Sequence, residues 1–173
     1  MLVTRLLLPS VHRPIVLFKH FSRTTATPHQ AERHDMEPVA TVSSLDHLVL
    51  TVKDLEATVK FYQRYLGMEH TSFSSGGVER HALKFGYQKI NLHVSGKEFE
   101  PKAQNVQPGS GDLCFLVQDK VDDVLERLRS EGMEILEGGK VVDRTGARGK
   151  LRSVYIRDPD GNLIEYDAIP KWL

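Results

Sequence analysis

Residues 47–69 read HLVLTVKDLEATVKFYQRYLGME. In the first six, Leu48, Leu50 and Val52 alternate with His47, Val49 and Thr51, the two-residue period of a half-buried strand. Asp54 then stands at a helix N-cap, Leu55, Val59, Tyr62 and Leu66 share one helical face, and Gly67 supplies the left-handed stop. Sixty-five residues later, residues 112–134 read DLCFLVQDKVDDVLERLRSEGME and repeat the pattern. Leu113, Val117, Asp119, Val124 and Gly132-Met133-Glu134 fall at the offsets of Leu48, Val52, Asp54, Val59 and Gly67-Met68-Glu69.

Three short alternating segments follow each helix. They are Met68 to Phe73, Val78 to Phe85 and Lys89 to Val94 in the first copy, and Met133 to Val142, Leu151 to Arg157 and Asn162 to Ala168 in the second. The turn Asp158-Pro159-Asp160-Gly161 introduces the last strand. Each copy therefore reads as a βαβββ module, about 45–95 and 110–169. One module alone leaves the sheet face opposite its helix uncovered, so the expected fold is α+β, with two modules packed to form one central cleft over residues 45–170.

The chain has 173 residues, 40% hydrophobic and 27% charged, enough for one such domain and a tail. No apolar run approaches the roughly 18 residues of a membrane helix. Lys+Arg and Asp+Glu both number 23, with no basic stripe of the kind nucleic acid selects, so neither nucleic acid nor membrane is expected as a partner. Cys114 is the sole cysteine, which excludes an internal disulfide and multi-cysteine zinc sites. Charge is uneven along the chain: Arg5, Arg13, Lys19 and Arg23 precede the first acid, Glu32, among leucines, serines and threonines. Residues 1–31 thus have the composition of a mitochondrial transit peptide, with a non-targeting extension of a cytoplasmic protein as the alternative, and 32–44 read as linker.

The alternation turns His47 toward the cleft, and the repeat gives Asp112 the same orientation. On the last strand of each copy, Asn91 and His93 match Glu165 and Asp167. His47, Asn91, Asp112 and Glu165 thus occupy equivalent strand positions, a mixed nitrogen and oxygen set suited to a divalent ion such as Mn, Fe, Co, Ni or Zn. An isolated His or Glu at such a position is more often hydrogen-bonded structure. Asn91 is a weak neutral ligand; His93 is chemically better but lies about 6.6 Å further along the strand, so both are read as pocket lining. Arg144, Arg148, Lys150 and Arg152 surround Gly146 and Gly149 in an expected flexible loop that could clamp a carboxylate or phosphonate. Cys114, without a basic neighbour, reads as an inert core thiol.

The phrases LDHLVLTVKDLEATVKFYQRYLGM and YIRDPDGNLIEY resemble the two ends of the vicinal oxygen chelate superfamily, which includes glyoxalase I, methylmalonyl-CoA epimerase, fosfomycin-modifying enzymes and extradiol dioxygenases. The resemblance implies paired βαβββ modules and, in active members, a metal held by first and last strands. It assigns His47, Asp112 and Glu165 as ligands, Glu165 as the base that moves a proton, and Ser153 and Tyr155 as substrate-contacting hydroxyls. Asp112 departs from the usual His and Asn91 from the usual Glu or Gln. A metal-dependent lyase or isomerase of the glyoxalase I type, acting on a small oxygen-rich or thiol-conjugated substrate, is one expectation. A metal-free binding module is the other. A homodimer is expected to cover exposed sheet edges.

Overall fold

The computed structural model describes residues 38–168, so the leader lies outside the described residues. Eight strands and two long helices follow in the order β1 (His47–Val52), α1 (Leu55–Leu66), β2 (Glu69–Ser75), β3 (Val78–Phe85), β4 (Gln88–Val94), β5 (Asp112–Leu116), α2 (Val121–Ser130), β6 (Val142–Gly146), β7 (Gly149–Arg157) and β8 (Leu163–Ala168). They form two four-stranded sheets ordered β1-β4-β3-β2 and β5-β8-β7-β6. In each, the first strand is parallel to the last, because the helix carries the chain back across the sheet before the next three strands meander. This is the α+β arrangement of paired βαβββ modules that the alternation predicts.

Helix α1 begins where Asp54 accepts a hydrogen bond from the Ala57 amide at 3.0 Å, and it ends at Gly67, whose φ of 64° no β-carbon favours. The matching aspartate in the second module behaves differently. Lys120, not Asp119, is the N-cap of α2 and makes no side-chain cap; Asp119 pairs with Arg127 at 2.7 Å instead. A second correction concerns β6. The expected strand over 133–142 is displaced to Val142–Gly146 by a tight turn at Leu136–Gly139, in which Glu137 and Gly138 sit at φ 54° and 71°. The basic segment is correspondingly no flexible loop: Arg144 and Arg152 lie in paired strands, and only residues 147–148 join them.

Apolar residues on the helix-covered faces of both sheets merge into one core. Leu50, Val52, Leu83 and Ile90 contribute from the first module, and Val154, Ile156, Ile164 and Tyr166 from the second. The segment Asp158–Asn162 fastens the modules together. The buried Asp158 carboxylate accepts bonds from Tyr62 Oη at 3.1 Å, Asn162 Nδ2 at 2.7 Å, and the Asp160 and Asn162 amides at 2.9 and 2.8 Å. Asp160 accepts from the Lys53 amide at 3.1 Å, and Asn162 Oδ1 from the Gly111 amide at 2.7 Å. Backbones approach so closely here that a β-carbon on Gly109 would lie 2.5 Å from the Asp160 carbonyl oxygen. Tyr166 Oη adds a bond to the Tyr65 carbonyl at 3.1 Å.

Candidate active site

The faces of the two sheets turned away from the helices carry the polar groups. On the second sheet the register sets Tyr155 opposite Glu165, and Ser153 opposite Asp167. Strand pairing thereby places side chains that are distant in sequence on one surface. Asp112, Glu137, Arg144, Tyr155, Arg157 and Glu165 line one pocket of about 360 Å³, with Leu136 and Leu163 as its apolar walls.

Within it, Tyr155 Oη donates to Glu165 Oε1 at 2.5 Å and accepts from Arg144 Nε at 3.1 Å. The Arg144 guanidinium also reaches Glu137 at 2.9 Å and lies 5.3 Å from the Tyr155 ring centroid. Burial and the neighbouring carboxylate push the Tyr155 phenol up to about 12, so it remains a proton donor throughout the physiological range. Glu137, which the sequence reading passed over, is the one non-glycine in the left-handed region among the described residues. Its strained backbone is held beside the pocket by the Arg144 pair, a pattern common at functional sites. The only sequence signal for it was the Glu137-Gly138-Gly139 run.

Next to Glu165, Asp167 is completely buried and accepts hydrogen bonds from both Ser153 Oγ and Cys114 Sγ. Ser153 is therefore committed to Asp167 beneath the surface and is not among the pocket's lining residues. Cys114 is exposed on the open face rather than in the core, because its strand alternates Leu113 and Phe115 inward. Partial burial of the sulfur, the bond to Asp167 and the surrounding carboxylates push its thiol up to about 12. Iodoacetamide at pH 8 should accordingly modify Cys114 about a thousandfold more slowly than an unperturbed thiol, since only thiolate reacts. The rate should climb about tenfold per pH unit without a plateau below pH 11. Mass spectrometry of a labelling time course checks this, and rapid labelling at pH 8 would contradict it.

The remaining sequence candidates lie elsewhere. Arg148 is exposed at the β6–β7 hairpin tip. Asn91 and His93 occupy β4 of the first sheet. His47, on β1, is half-exposed and bonds Asp46 through Nδ1 at 2.6 Å; it does not line the pocket of Asp112 and Glu165. Of the three expected metal ligands, the structure brings two to one pocket and leaves His47 outside it.

The donor set at that pocket nevertheless fits a divalent ion. Asp112 and Glu165 offer hard carboxylate oxygens there, with Tyr155 donating to Glu165 Oε1, whereas Cys114 and Asp167, whose donor atoms lie within 4.8 Å of that of Glu165, are hydrogen-bonded to each other outside the pocket lining. A somewhat larger groove, about 400 Å³, runs between α1 and α2. Its charged residues pair with one another as Arg64–Glu131 and Arg127–Asp119.

Paired βαβββ modules with carboxylate, phenol and guanidinium groups on an open sheet face define a class of small-molecule site. Residues 44–166 match the family model of the Glyoxalase/Bleomycin resistance protein/Dioxygenase superfamily, and the chain belongs to that superfamily. It is 54% identical over 127 residues to the glyoxalase domain-containing protein RDO1 of Mycosarcoma maydis, covering 73% of this chain and 69% of the relative. The crystal structure of virulence protein STM3117 from Salmonella typhimurium is 46% identical, with a TM-score of 0.70 over 76% of this chain and all of the other. A variant of the fosfomycin resistance protein FosX from Listeria monocytogenes, solved with Mn(II) and 1S,2S-dihydroxypropylphosphonic acid, is 27% identical. Its TM-score is 0.50, over 76% of this chain and 94% of the other.

Proposed function

We propose that this protein is a divalent-metal-dependent enzyme acting on a small oxygen-rich or thiol-conjugated substrate. The metal is held by Asp112 and Glu165 of one chain and His47 of a second copy. The observation that carries this reading is the Tyr155–Glu165 pair in a pocket shared with Asp112 while His47 stands on the other sheet's open face. That face exposes Val49 at 46%, and the second sheet exposes Leu116 at 50%, apolar surface that a partner would cover. The Mn(II) complex of the FosX relative supports the choice of metal class. A bound ion would act as a Lewis acid that stabilises negative charge on adjacent substrate oxygens.

The chain's own groups supply the rest. Glu165 accepts a proton from a substrate carbon and returns it to the neighbouring atom, which serves isomerisation. Tyr155 fixes the carboxylate's orientation by its hydrogen bond to Oε1. Arg144, locked by Glu137 and Tyr155, positions the anionic part of the substrate. A metal-free binding module is the second reading; the bridging Arg144 favours it, because a fixed guanidinium beside Glu165 could hold a polar ligand unaided.

Elemental analysis of the full chain, without a histidine tag and after incubation with Mn(II), decides between them. Near-stoichiometric metal that His47→Ala and Glu165→Ala both abolish is the expected result, with Tyr155→Phe weakening affinity about tenfold to a hundredfold, as loss of a ligand's orienting bond does. No bound metal in the folded, unsubstituted protein would leave the binding module.

A further inference from the structure

The first sheet carries a polar cluster that the Glu165 pocket does not use. The register pairs Ala82 with Asn91 and His81 with Leu92, so the next position along β3 brings Arg80 opposite His93. All three polar residues share the face that bears His47. After β4 the chain turns back over this face. The Phe99 ring meets the His93 ring edge-on at 5.0 Å between centroids, and the Arg80 guanidinium carbon lies 4.3 Å from the centre of the Phe99 ring. Glu98 fastens the strap by accepting from the Gly96 amide at 2.9 Å and from Lys102 Nζ at 3.0 Å.

Under this roof Arg80 Nε, Asn91 Oδ1 and His93 Nδ1 are buried and, among the described residues, have no hydrogen-bond partner. His93 is 9% exposed. A buried polar atom with no partner is costly, and three on one face mark a place shaped for something that supplies the missing partners. The charge balance says what kind. Arg80 is cationic and shielded on one side by an aromatic ring, and Lys102 is near, while Glu98 is already occupied by Lys102 and Gly96, and the exposed Glu100 lies 3.9 Å from Lys102 Nζ. Burial and the Arg80 charge hold the His93 imidazole below its ordinary pKa, which leaves a neutral ring whose Nδ1 can donate. A guanidinium with a free Nε–H and a desolvated face binds oxygen anions by charge-assisted bonds.

We propose that Arg80 and His93, beneath Phe99 and beside Asn91, form a binding site for a small oxyanion, either a free phosphate or the phosphonate or carboxylate group of a larger ligand. The oxyanion accepts from Arg80 Nε–H and His93 Nδ1–H. A protonated oxygen, or a hydroxyl or amine next to the anion, donates to Asn91 Oδ1. None of these residues lines the Glu165 pocket of the same chain, and phosphate titration of the metal-free protein reads them apart from any metal.

The test is titration of the full, metal-free chain with inorganic phosphate at constant ionic strength, read by the imidazole NMR signals assigned through His93→Gln. A saturable shift of the His93 resonance is expected, with affinity falling at least about tenfold in Arg80→Gln, in line with loss of one charged hydrogen bond. Phe99→Ala should also weaken binding, and Lys60→Gln, on the exposed face of α1, should leave it unchanged. Should Arg80→Gln fail to fold by circular dichroism, Arg80→Lys, which keeps the charge and loses the Nε–H, is read instead and should still weaken binding. Parallel titrations with methylphosphonate and acetate distinguish the sources: tighter phosphate marks the free ion, and tighter methylphosphonate or acetate marks the corresponding group of a ligand. Absence of a saturable shift, or phosphate affinity unchanged in both folded Arg80 variants, would overturn the proposal. Normal phosphate binding in a chain that takes up no metal would leave this site standing and remove only the metal enzyme.

Discussion

A heterodimer assembled from one His47→Ala chain and one Glu165→Ala chain should bind about one metal ion, where each homodimeric variant binds none and the unsubstituted dimer binds two. The reason is geometric. Within one chain, Glu165 and Asp112 line a pocket on the second sheet and His47 stands on the first, bonded to Asp46. If a two-fold axis sets the first sheet of each chain against the second sheet of its partner, each site draws His47 from one chain and the carboxylates from the other. In the mixed dimer, one site then combines the intact His47 of the Glu165→Ala chain with the intact Glu165 of its partner. The other site carries both substitutions. Co-expression with two different non-histidine affinity tags, tandem purification and elemental analysis measure the ratio. Ligands converging within a single chain would give a metal-free heterodimer instead. A metal-binding protein that gave that result would refute the shared site while keeping the metal.

Asp158→Ala should be the most destabilising single substitution outside the hydrophobic core, by about 3–5 kcal/mol, because it strands donors that are buried with no other acceptor. Its carboxylate is 6% exposed and accepts from the Tyr62 hydroxyl, the Asn162 side chain and two backbone amides. Tyr62 itself is fully buried, and burial together with the neighbouring Asp158 raises its phenol far above the ordinary value, so it cannot ionise in compensation. Tyr62→Phe removes one of these bonds and should cost about 1 kcal/mol. Chemical denaturation followed by tryptophan-independent circular dichroism gives both values. An Asp158→Ala loss no greater than that of Tyr62→Phe would show that the turn, rather than its carboxylate, joins the modules.

This second result bears on what the sequence made legible. Asp158-Pro159-Asp160-Gly161-Asn162 reads locally as a turn before the last strand, and it is one. Its larger role depends on Tyr62 and Lys53, 96 and 107 residues away, which no local pattern reveals. The equivalence of Asp54 and Asp119 failed for a related reason. Asp119 falls at the offset of Asp54, but it pairs with Arg127, nearly two turns into α2, and Lys120 takes the N-cap position. The Glu137-Gly138-Gly139 turn displaced β6 because its left-handed backbone cannot continue a strand.

The candidate site divides the same way. Glu165, Tyr155 and Arg144 could be named from residue chemistry and resemblance, and the β6–β7–β8 register placed them in one pocket. Ser153 carried the same expectation as Tyr155, yet it faces the buried Asp167, because the two hydroxyls differ in depth along the sheet rather than in kind. Arg80 had no signal in the sequence, and Phe99 stood in a linker segment, residues 97–102, that reads as a charged surface loop or a cover for the cleft mouth. They acquire meaning only when the strap after β4 folds back over the sheet.

By itself, then, the sequence determined the elements and their pairing into two modules, since alternation, helical period and glycine stops act over a few residues and are written where they act. Only the tertiary structure decided how the modules lock through Asp158, which polar groups share a pocket, and that His47 lies outside it. Those outcomes depend on register and on contacts between distant segments, where free energy is set by mutual burial rather than by any one residue's preference.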